Sequence, residues 1–246
     1  PNPEWFEEIE QELDKLLEET EQNKEWQRLA SLLKIKSMVV KHDMGKIDYL
    51  MRLAKLYEEV IGNIEEATNY YTQVLNINSS HKRALDSLAR INETNEDWDK
   101  YLQVIRLSME ANTDKTVKAS LYFKYGSILE TQFNKIDEAL KYYKLAIDAS
   151  PTSLPALHGI RDIYVKKEHW KGVLNTLKME AAICDDPKEK AGIYTQMGDI
   201  LHEKLGKSEQ AEIYFTAAMK LRPDSPGALR ALFKLYYNNA DWEKAA

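Results

Sequence analysis

The residue types that most often form metal or catalytic sites are few in this sequence and widely spaced. There are five histidines and one cysteine, Cys184. His202 begins a His-Glu-Lys stretch, but a zinc-binding helix needs a second histidine four residues later, where this chain has Gly206. Cys184 has no cysteine or histidine beside it at a metal-binding spacing. The spacing therefore predicts no metal site and no cofactor.

Nucleophilic chemistry and phosphate binding find no better support in the sequence. Cys184 lies just before Asp186, a predicted helix start at which a thiol can become reactive, but a small buried filler is the simpler interpretation. The nine glycines are scattered and form no phosphate-binding or dinucleotide-binding loop. We predict that the protein is not an enzyme.

Charge and hydropathy argue against several kinds of partner. The net charge of −6 and the pI near 5.5 do not fit the basic surface that binding to nucleic-acid phosphates requires. RNA-reading helical repeats have a similar length, but they also need an electropositive groove. No apolar run approaches the roughly 20 residues of a membrane-spanning helix. A single cysteine fits a reducing compartment, which favours the cytoplasm.

The tryptophans indicate how the chain is organised. Trp26, Trp98, Trp170 and Trp242 follow one another at intervals of 72 residues, and only Trp5 lies outside the series. A rare residue on a fixed period indicates an internal repeat. The same interval separates Ala67, Ala139 and Ala211, then Ala84, Ala156 and Ala228, then Leu85, Leu157 and Leu229, and also Tyr70, Tyr142 and Tyr214.

Apolar residues recur every three or four positions within each repeat unit, which predicts helices. Short polar loops divide a unit into four helices, or two antiparallel hairpins. The tryptophan falls in the first turn of the second helix of alternate hairpins, where its ring would cover a helix junction. Residues 3–22 would be the second half of a cut or capping hairpin. Side chains that can cap a helix start recur at Ser80, Thr152 and Asp224.

The other hairpins resemble tetratricopeptide repeats, a family with a helix–turn–helix repeat of about 34 residues. The family pattern has a large apolar residue, a Gly or Ala and a Tyr or Leu in the first helix. Its second helix has Ala, an aromatic residue and Ala, followed by Pro. The clearest match is Tyr194, Met197, Gly198, Leu201, Ala211, Phe215, Ala218 and Pro223. The preceding match is Tyr122, Tyr125, Gly126, Leu129, Ala139, Tyr143, Ala146 and Pro151. The first is Leu50, Leu53, Ala54, Tyr57, Ala67 and Tyr71, with Val74 and Ser79 in place of Ala and Pro.

The resemblance covers residues 24–246 and has two departures. The matching hairpins carry about one extra residue in the internal turn, and the tryptophan hairpins keep only an apolar skeleton. Such alternation resembles long bacterial arrays. It implies an all-α, right-handed superhelical α-solenoid of stacked antiparallel helix hairpins. We expect one solenoid over residues 1–246, a fragment of a longer array, with a partial unit at 1–48, units at 49–120 and 121–192, and a truncated unit at 193–246.

The family fold places the first helix of each hairpin on the concave side of the solenoid, so exposed positions of these helices are candidate partner contacts. By register they are Met51, Lys55, Asp86, Arg90, Phe123, Ser127, His158, Asp162, Thr195, Asp199, Arg230 and Lys234. Unlike the core positions, they differ in chemistry from one unit to the next. This variation favours binding, with Phe123 as an anchor and the charges fixing the register of a partner.

The resemblance implies a non-catalytic scaffold that binds a peptide or helical protein partner in the concave groove. The groove residues do not match the Lys, Asn and Arg set with which some family members clamp chaperone tails. Two alternatives stay open: an architectural rod that associates with copies of itself, and a docking or regulatory arm of a larger enzyme. We expect neither a nucleic-acid partner nor membrane insertion.

Overall fold

The structure is a computed structural model that describes the backbone of residues 3–238 and the side chains of residue 9 and residues 11–237. Over this range every regular element is a helix. The helices are Pro3–Gln22 (α1), Trp26–Val39 (α2), Asp43–Lys55 (α3), Ile64–Ile77 (α4), Lys82–Thr94 (α5), Trp98–Ala111 (α6), Lys115–Thr131 (α7), Ile136–Ala149 (α8), Leu154–Lys166 (α9), Trp170–Ile183 (α10), Pro187–Asp199 (α11), Ser208–Leu221 (α12) and Pro226–Asn238 (α13). Trp242 and its predicted helix lie outside the described residues.

The chain divides into two compact bodies, an N-terminal body of residues 1–114 and a C-terminal body of residues 115–246. In the N-terminal body, each helix from α1 to α5 packs against the helix that follows it in sequence. The same holds for α7 to α12 in the C-terminal body, where α7 also contacts α9 and α11 contacts α13. Each body is therefore a stack of helix hairpins, which confirms the predicted all-α class. The unit boundaries derived from sequence register remain predictions.

The first hairpin differs from the prediction made for residues 3–22. This segment is α1, and α1 packs against α2, the helix that begins at Trp26. Its last residue, Gln22, has the register of Thr94 and Lys166, the last residues of α5 and α9. The prediction of a second half of a hairpin was wrong, because α1 is the first helix of a tryptophan hairpin. The sequence of α1 lacks the small residue that marks the first helix in the other hairpins.

The predicted position of the tryptophans is confirmed, but their burial is incomplete. Trp26, Trp98 and Trp170 are the first residues of α2, α6 and α10. Their side chains are half-buried. The ring of Trp170 packs against the core of the C-terminal body, and the Lys204 ammonium lies 5.2 Å from its centre. Each ring therefore covers the core at a helix start and keeps one part in solvent.

The two kinds of hairpin use different turns between their helices. In the hairpins that resemble the family, the left-handed residue is Gly62, Asn134 or Gly206. The next N–H then donates to a carbonyl six residues back, as from Lys207 to Leu201 at 2.7 Å, which is one residue more than in the Schellman arrangement of the tryptophan hairpins, where His169 donates to Tyr164 at 2.8 Å. In the tryptophan hairpins the left-handed residue is Lys24, Glu96 or Glu168. A side chain at such a position raises the energy of the backbone.

The extra residue predicted in the family-like turns appears as a wider helical turn in two hairpins. α3 continues into a π-helical turn at Leu56–Ile61, and α11 into another at Ile200–Lys204. A π-turn accommodates one added residue without breaking the helix. The insertion is therefore absorbed at the end of the first helix and leaves the second helix in register.

The family signature corresponds to the packing of a small residue against an aromatic ring. Ala67, Ala139 and Ala211 are completely buried. A Cβ atom at Gly198 would lie 2.3 Å from Cε1 of Phe215, so glycine lets the second helix approach the first. This close approach explains why the small residue and the aromatic residue occur together in the sequence.

The predicted helix caps are correct at one site and wrong by one residue at the others. Asp186 accepts a hydrogen bond from the N–H of Lys188 at 2.9 Å. The residue before α5 is His81, whose Nδ1 accepts from the N–H of Ala84 at 3.3 Å. Ser80 instead donates its hydroxyl to Asn78 Oδ1 at 2.9 Å. The polar residue at this register therefore shapes the preceding turn.

Candidate protein-binding surface

All twelve predicted contact residues lie on first helices of hairpins, but they differ in exposure. Seven are exposed: Lys55, Asp86, Arg90, His158, Asp162, Arg230 and Lys234. Four are half-buried: Phe123, Ser127, Thr195 and Asp199. Met51 is only 9% exposed and belongs to the core of the N-terminal body. The assignment of Met51 to a binding surface was therefore wrong, because its side chain packs inward.

A cluster of three polar side chains links two hairpins of the N-terminal body. The Tyr71 hydroxyl on α4 donates to Glu58 Oε2 at 2.7 Å, and Arg90 on α5 donates to the other carboxylate oxygen of Glu58. The Glu58 side chain is 7% exposed. Burial raises the pKa of Tyr71 to about 12, and Glu58 contributes in the same direction. The hydrogen bond with Glu58 raises the pKa of Arg90, so this arginine is held by an internal partner.

The C-terminal body contains a corresponding cluster around Tyr143. Its hydroxyl donates to Glu130 Oε2 at 2.9 Å, and Lys166 donates to Glu130 Oε1 at 2.8 Å. Burial raises the pKa of Tyr143, and the hydrogen bond to Glu130 adds to the effect. The Phe123 ring is stacked on the Tyr143 ring with centres 5.6 Å apart. Phe123 thus presents one part of its ring to solvent and rests on a fixed aromatic support.

In the third repeat copy, neither the tyrosine nor the glutamate of this cluster is present. Phe215 replaces the tyrosine and His202 replaces the glutamate. His202 Nδ1 lies 3.0 Å from the Ser208 hydroxyl, while Lys234 donates to Glu203 at 3.1 Å. Sequence reasoning found Arg90 and Lys234 but missed their carboxylate partners. The shared register of the two glutamates and the two tyrosines was the available signal.

A buried carboxylate lies beside two other predicted residues. Glu180 on α10 is 2% exposed, and its Oε2 accepts from Arg161 Nη1 and lies 3.8 Å from His158 Nε2. Its Oε1 has no hydrogen-bond partner among the described residues. Burial raises the pKa of Glu180, and Arg161 opposes that effect. Asp162 lies 3.8 Å from Arg161 Nε, so α9 carries an alternating row of charges.

Some of the remaining predicted residues form hydrogen bonds within their own helix, and others form no ion pair with the described residues. Thr195 donates its hydroxyl to the Ala191 carbonyl at 2.9 Å, and Arg230 Nε donates to the Pro226 carbonyl at 3.1 Å. Burial raises the pKa of Asp199. Within the described part of the chain, Lys55 and Asp86 form no ion pair. These two exposed charges are therefore available to a partner at no cost in internal contacts.

The described residues contain neither a metal-binding group nor a membrane-spanning helix. Among the residues whose side chains are described, no three His, Cys, Asp or Glu residues are grouped in a way that could hold a metal ion. No helix in the described part of the chain is long and apolar enough to cross a membrane. Cys184 is half-buried, with its sulfur 3.5 Å from the Asp186 carbonyl oxygen.

The C-terminal body also has two surface cavities that sequence reasoning did not predict. One of about 410 Å³ lies between α8, α9 and α10. The other, of about 280 Å³, lies between α10, the π-turn after α11, and α12. Second helices line both cavities together with parts of α9 or of the π-turn after α11, and none of the twelve predicted contact residues lines either cavity. The two faces of the hairpins therefore offer different surfaces.

Comparison with known families identifies the repeat. Models described as tetratricopeptide repeat match residues 48–80, 119–153 and 191–225. Three hairpins of this chain are tetratricopeptide repeats. The matched ranges begin within α3, α7 and α11 and include α4, α8 and α12. The tryptophan hairpin α1–α2 lies before the first range, and α5–α6 and α9–α10 lie between the ranges. At the level of class, tetratricopeptide-repeat proteins are protein-interaction scaffolds.

Several solved structures, two of them described as tetratricopeptide-repeat proteins, are similar to this chain. YrrB, described as having an unusual peptide-binding site, is 17% identical over 74% of this chain and 90% of its own, with a TM-score of 0.45. A repeat protein from Parabacteroides merdae is 14% identical over 96% and 88%, with a TM-score of 0.45. MamA is 17% identical over 84% and 94%, with a TM-score of 0.40. At these values the likeness says nothing about the partner of this chain.

Proposed function

We propose that this protein is a non-catalytic scaffold whose first helices bind a peptide or a helical segment of a partner protein. The observation that carries the proposal is a contrast within the repeat. Core positions keep their residue type at intervals of 72, whereas exposed first-helix positions change from basic to apolar to acidic. Packing needs the core to repeat, but it places no such demand on a solvated position. Variation at these first-helix positions supports a chemically specific partner.

Phe123 supports this proposal as an anchor residue. Its ring is half-buried and is stacked on Tyr143, which is itself held by Glu130. A side chain that is already ordered loses little conformational entropy when a partner covers it. An apolar residue of a partner could pack on the exposed part of the ring, and His158 and Asp162 on α9 would supply polar contacts. Aromatic anchors of this kind contribute much of the affinity of protein interfaces.

The internal ion pairs limit which charges can contribute to binding. Arg90 and Lys234 are paired with Glu58 and Glu203, so a partner carboxylate would have to compete with an existing contact. Lys55 and Asp86 have no such competitor among the described residues. A charge reversal at Lys55 or Asp86 therefore tests binding without removing an internal contact.

The test is selection of a displayed random-peptide library on the purified chain, followed by affinity measurement with variants. The first-helix variant carries Lys55→Glu, Asp86→Lys and Asp162→Lys. Its matched control carries Lys34→Glu, Glu110→Lys and Asp148→Lys, which are exposed positions on second helices. We expect the selected peptides to bind the control as they bind the wild type and to bind the first-helix variant at least about tenfold more weakly.

Two results would contradict the proposal. Peptides that lose affinity for the control but not for the first-helix variant would move the site to the other face. A library that yields no binder, together with light scattering that shows ordered self-assembly of the chain, would favour the architectural rod. Thermal unfolding of all variants by circular dichroism shows whether each is folded.

A further inference from the structure

The smaller cavity of the C-terminal body has an apolar floor and a cationic rim. Its floor contains Leu174 and Leu201, which are buried, and Leu205, which is half-buried. Its rim contains three exposed lysines, Lys171, Lys178 and Lys207, together with Asn175, Gln210 and Tyr214. No acidic side chain lines it, and among the described residues none of the three lysines is in an ion pair. This is a local positive patch on a chain whose net charge is −6.

The repeat register shows that this charge is not required by the fold. Four rim positions at 171, 178, 207 and 210 can be compared with their equivalents at intervals of 72. The last copy has Lys, Lys, Lys and Gln, the middle copy has Asp99, Arg106, Lys135 and Glu138, and the first has Gln27, Lys34, Asn63 and Glu66. Formal charges in the two earlier copies cancel, whereas the last copy carries three positive charges and no negative one.

We propose that this cavity is a second binding site, which takes an acidic segment of a partner protein with an apolar residue in its middle. The apolar residue would enter the leucine-floored cavity, and carboxylates on either side would pair with the lysines of the rim. Charge complementarity of this kind orients a ligand and speeds its association. None of the twelve predicted first-helix contacts lines this cavity, so the site is independent of the function proposed for the first helices.

The cavity favours a polypeptide over a nucleic acid as the ligand. Single-stranded nucleic acids bind along a continuous basic groove with aromatic rings on which the bases stack. Here Tyr214 is the only aromatic residue in the lining, and it is half-buried. A cavity of about 280 Å³ has room for an apolar side chain, and the floor of leucines matches one.

The test uses fluorescein-labelled peptides in which glutamates flank a single leucine, with affinity read from fluorescence anisotropy. The site variant carries Lys171→Gln, Lys178→Gln and Lys207→Gln. Its control carries Lys124→Gln, Lys188→Gln and Lys220→Gln, which are exposed lysines outside the cavity, so both variants have the same net charge. We expect the site variant to weaken binding about tenfold through three rim contacts and the control to change it little.

Four further probes make the result decisive: two altered peptides, the first-helix variant and a thymidine oligonucleotide. A peptide with serine in place of leucine and a peptide with glutamine in place of glutamate should both bind more weakly than the parent peptide. The first-helix variant should bind the parent peptide as the wild type does, which separates this site from the first-helix surface. Equal loss in the site variant and its lysine control, equal binding of the serine peptide, or tighter binding of a thymidine oligonucleotide would each overturn the proposal.

Discussion

The hairpins that match the family and the tryptophan hairpins differ in what they bury at equivalent places. Near the end of the second helix, the family-like hairpins bury Val74, Ala146 and Ala218, while the tryptophan hairpins bury Lys36, Ser108 and Glu180. This position is therefore buried in both kinds of hairpin. It is always apolar only in the hairpins that match the family.

Each of these three buried polar residues has a partner of its own. Lys36 pairs with Asp14 at 2.8 Å, and Ser108 donates to the Val104 carbonyl of its own helix at 3.0 Å. Glu180 is paired with Arg161. A buried polar group costs free energy unless such a contact is present. In the hairpins that match the family, the residue buried at this place is therefore apolar in every copy. In the tryptophan hairpins, the buried residue differs from copy to copy and is polar where a neighbouring group can pair with it.

The largest loss of stability is expected when an aromatic residue of the core is replaced by alanine. One such residue is taken from each kind of hairpin to test the difference between them. Phe215→Ala should lower the free energy of unfolding by about 3–5 kcal/mol, because Phe215 is 1% exposed. Trp170→Ala should cost about half as much, because its ring is half-buried. Urea unfolding followed by circular dichroism measures both. Ile213→Ala, at a position on α12 that is 67% exposed, is the control, and a greater loss for Trp170 than for Phe215 would reverse the comparison.

A medium effect is expected from the tyrosine of the N-terminal cluster. Tyr71→Phe should cost about 1–3 kcal/mol at neutral pH, because it removes a hydrogen bond to the Glu58 carboxylate. The pKa of Tyr71 is about 12 in the folded chain and about 10 when unfolded. Its contribution is therefore complete below about pH 10 and is lost as the pH rises toward about 12. The variant should lose less stability than the wild type over that range.

The third copy supplies the control for this prediction. Phe215→Tyr should give no comparable gain, because His202 stands where Glu58 and Glu130 accept the hydroxyl in the other copies. A gain equal to the loss in Tyr71→Phe would show that the hydroxyl is stabilising without its carboxylate.

The smallest expected effect concerns the two kinds of turn. Glu168→Gly should raise the free energy of unfolding by less than about 1 kcal/mol, because glycine adopts the left-handed conformation without the penalty of a side chain. Gly206→Ala should lower it by about 1 kcal/mol for the converse reason. Thermal unfolding of the two variants should shift in opposite directions. Shifts of the same sign would show that side-chain contacts, rather than the backbone, determine these turns.

The sequence by itself determined the helices, the period and most of the core. Residues such as Ala139 and Leu157 are buried where their register requires, because repeated packing constrains them in the same way in each copy. The tryptophans mark the starts of second helices for the same reason. These properties depend on local periodicity and on contacts that recur, and both can be read from the order of residues.

Only the tertiary structure decided the contacts between side chains that do not recur. The pairing of Arg90 with Glu58 and of Lys166 with Glu130 depends on how far a long side chain can reach across neighbouring helices. The cationic residue lies one helical turn later in the second copy than in the first, so the pairing does not follow the repeat register. The burial of Met51 and the leucine-floored cavity depend on the distance between packed helices. Spacing along the chain does not specify such distances, because they arise from the shapes of all the side chains packed between the helices.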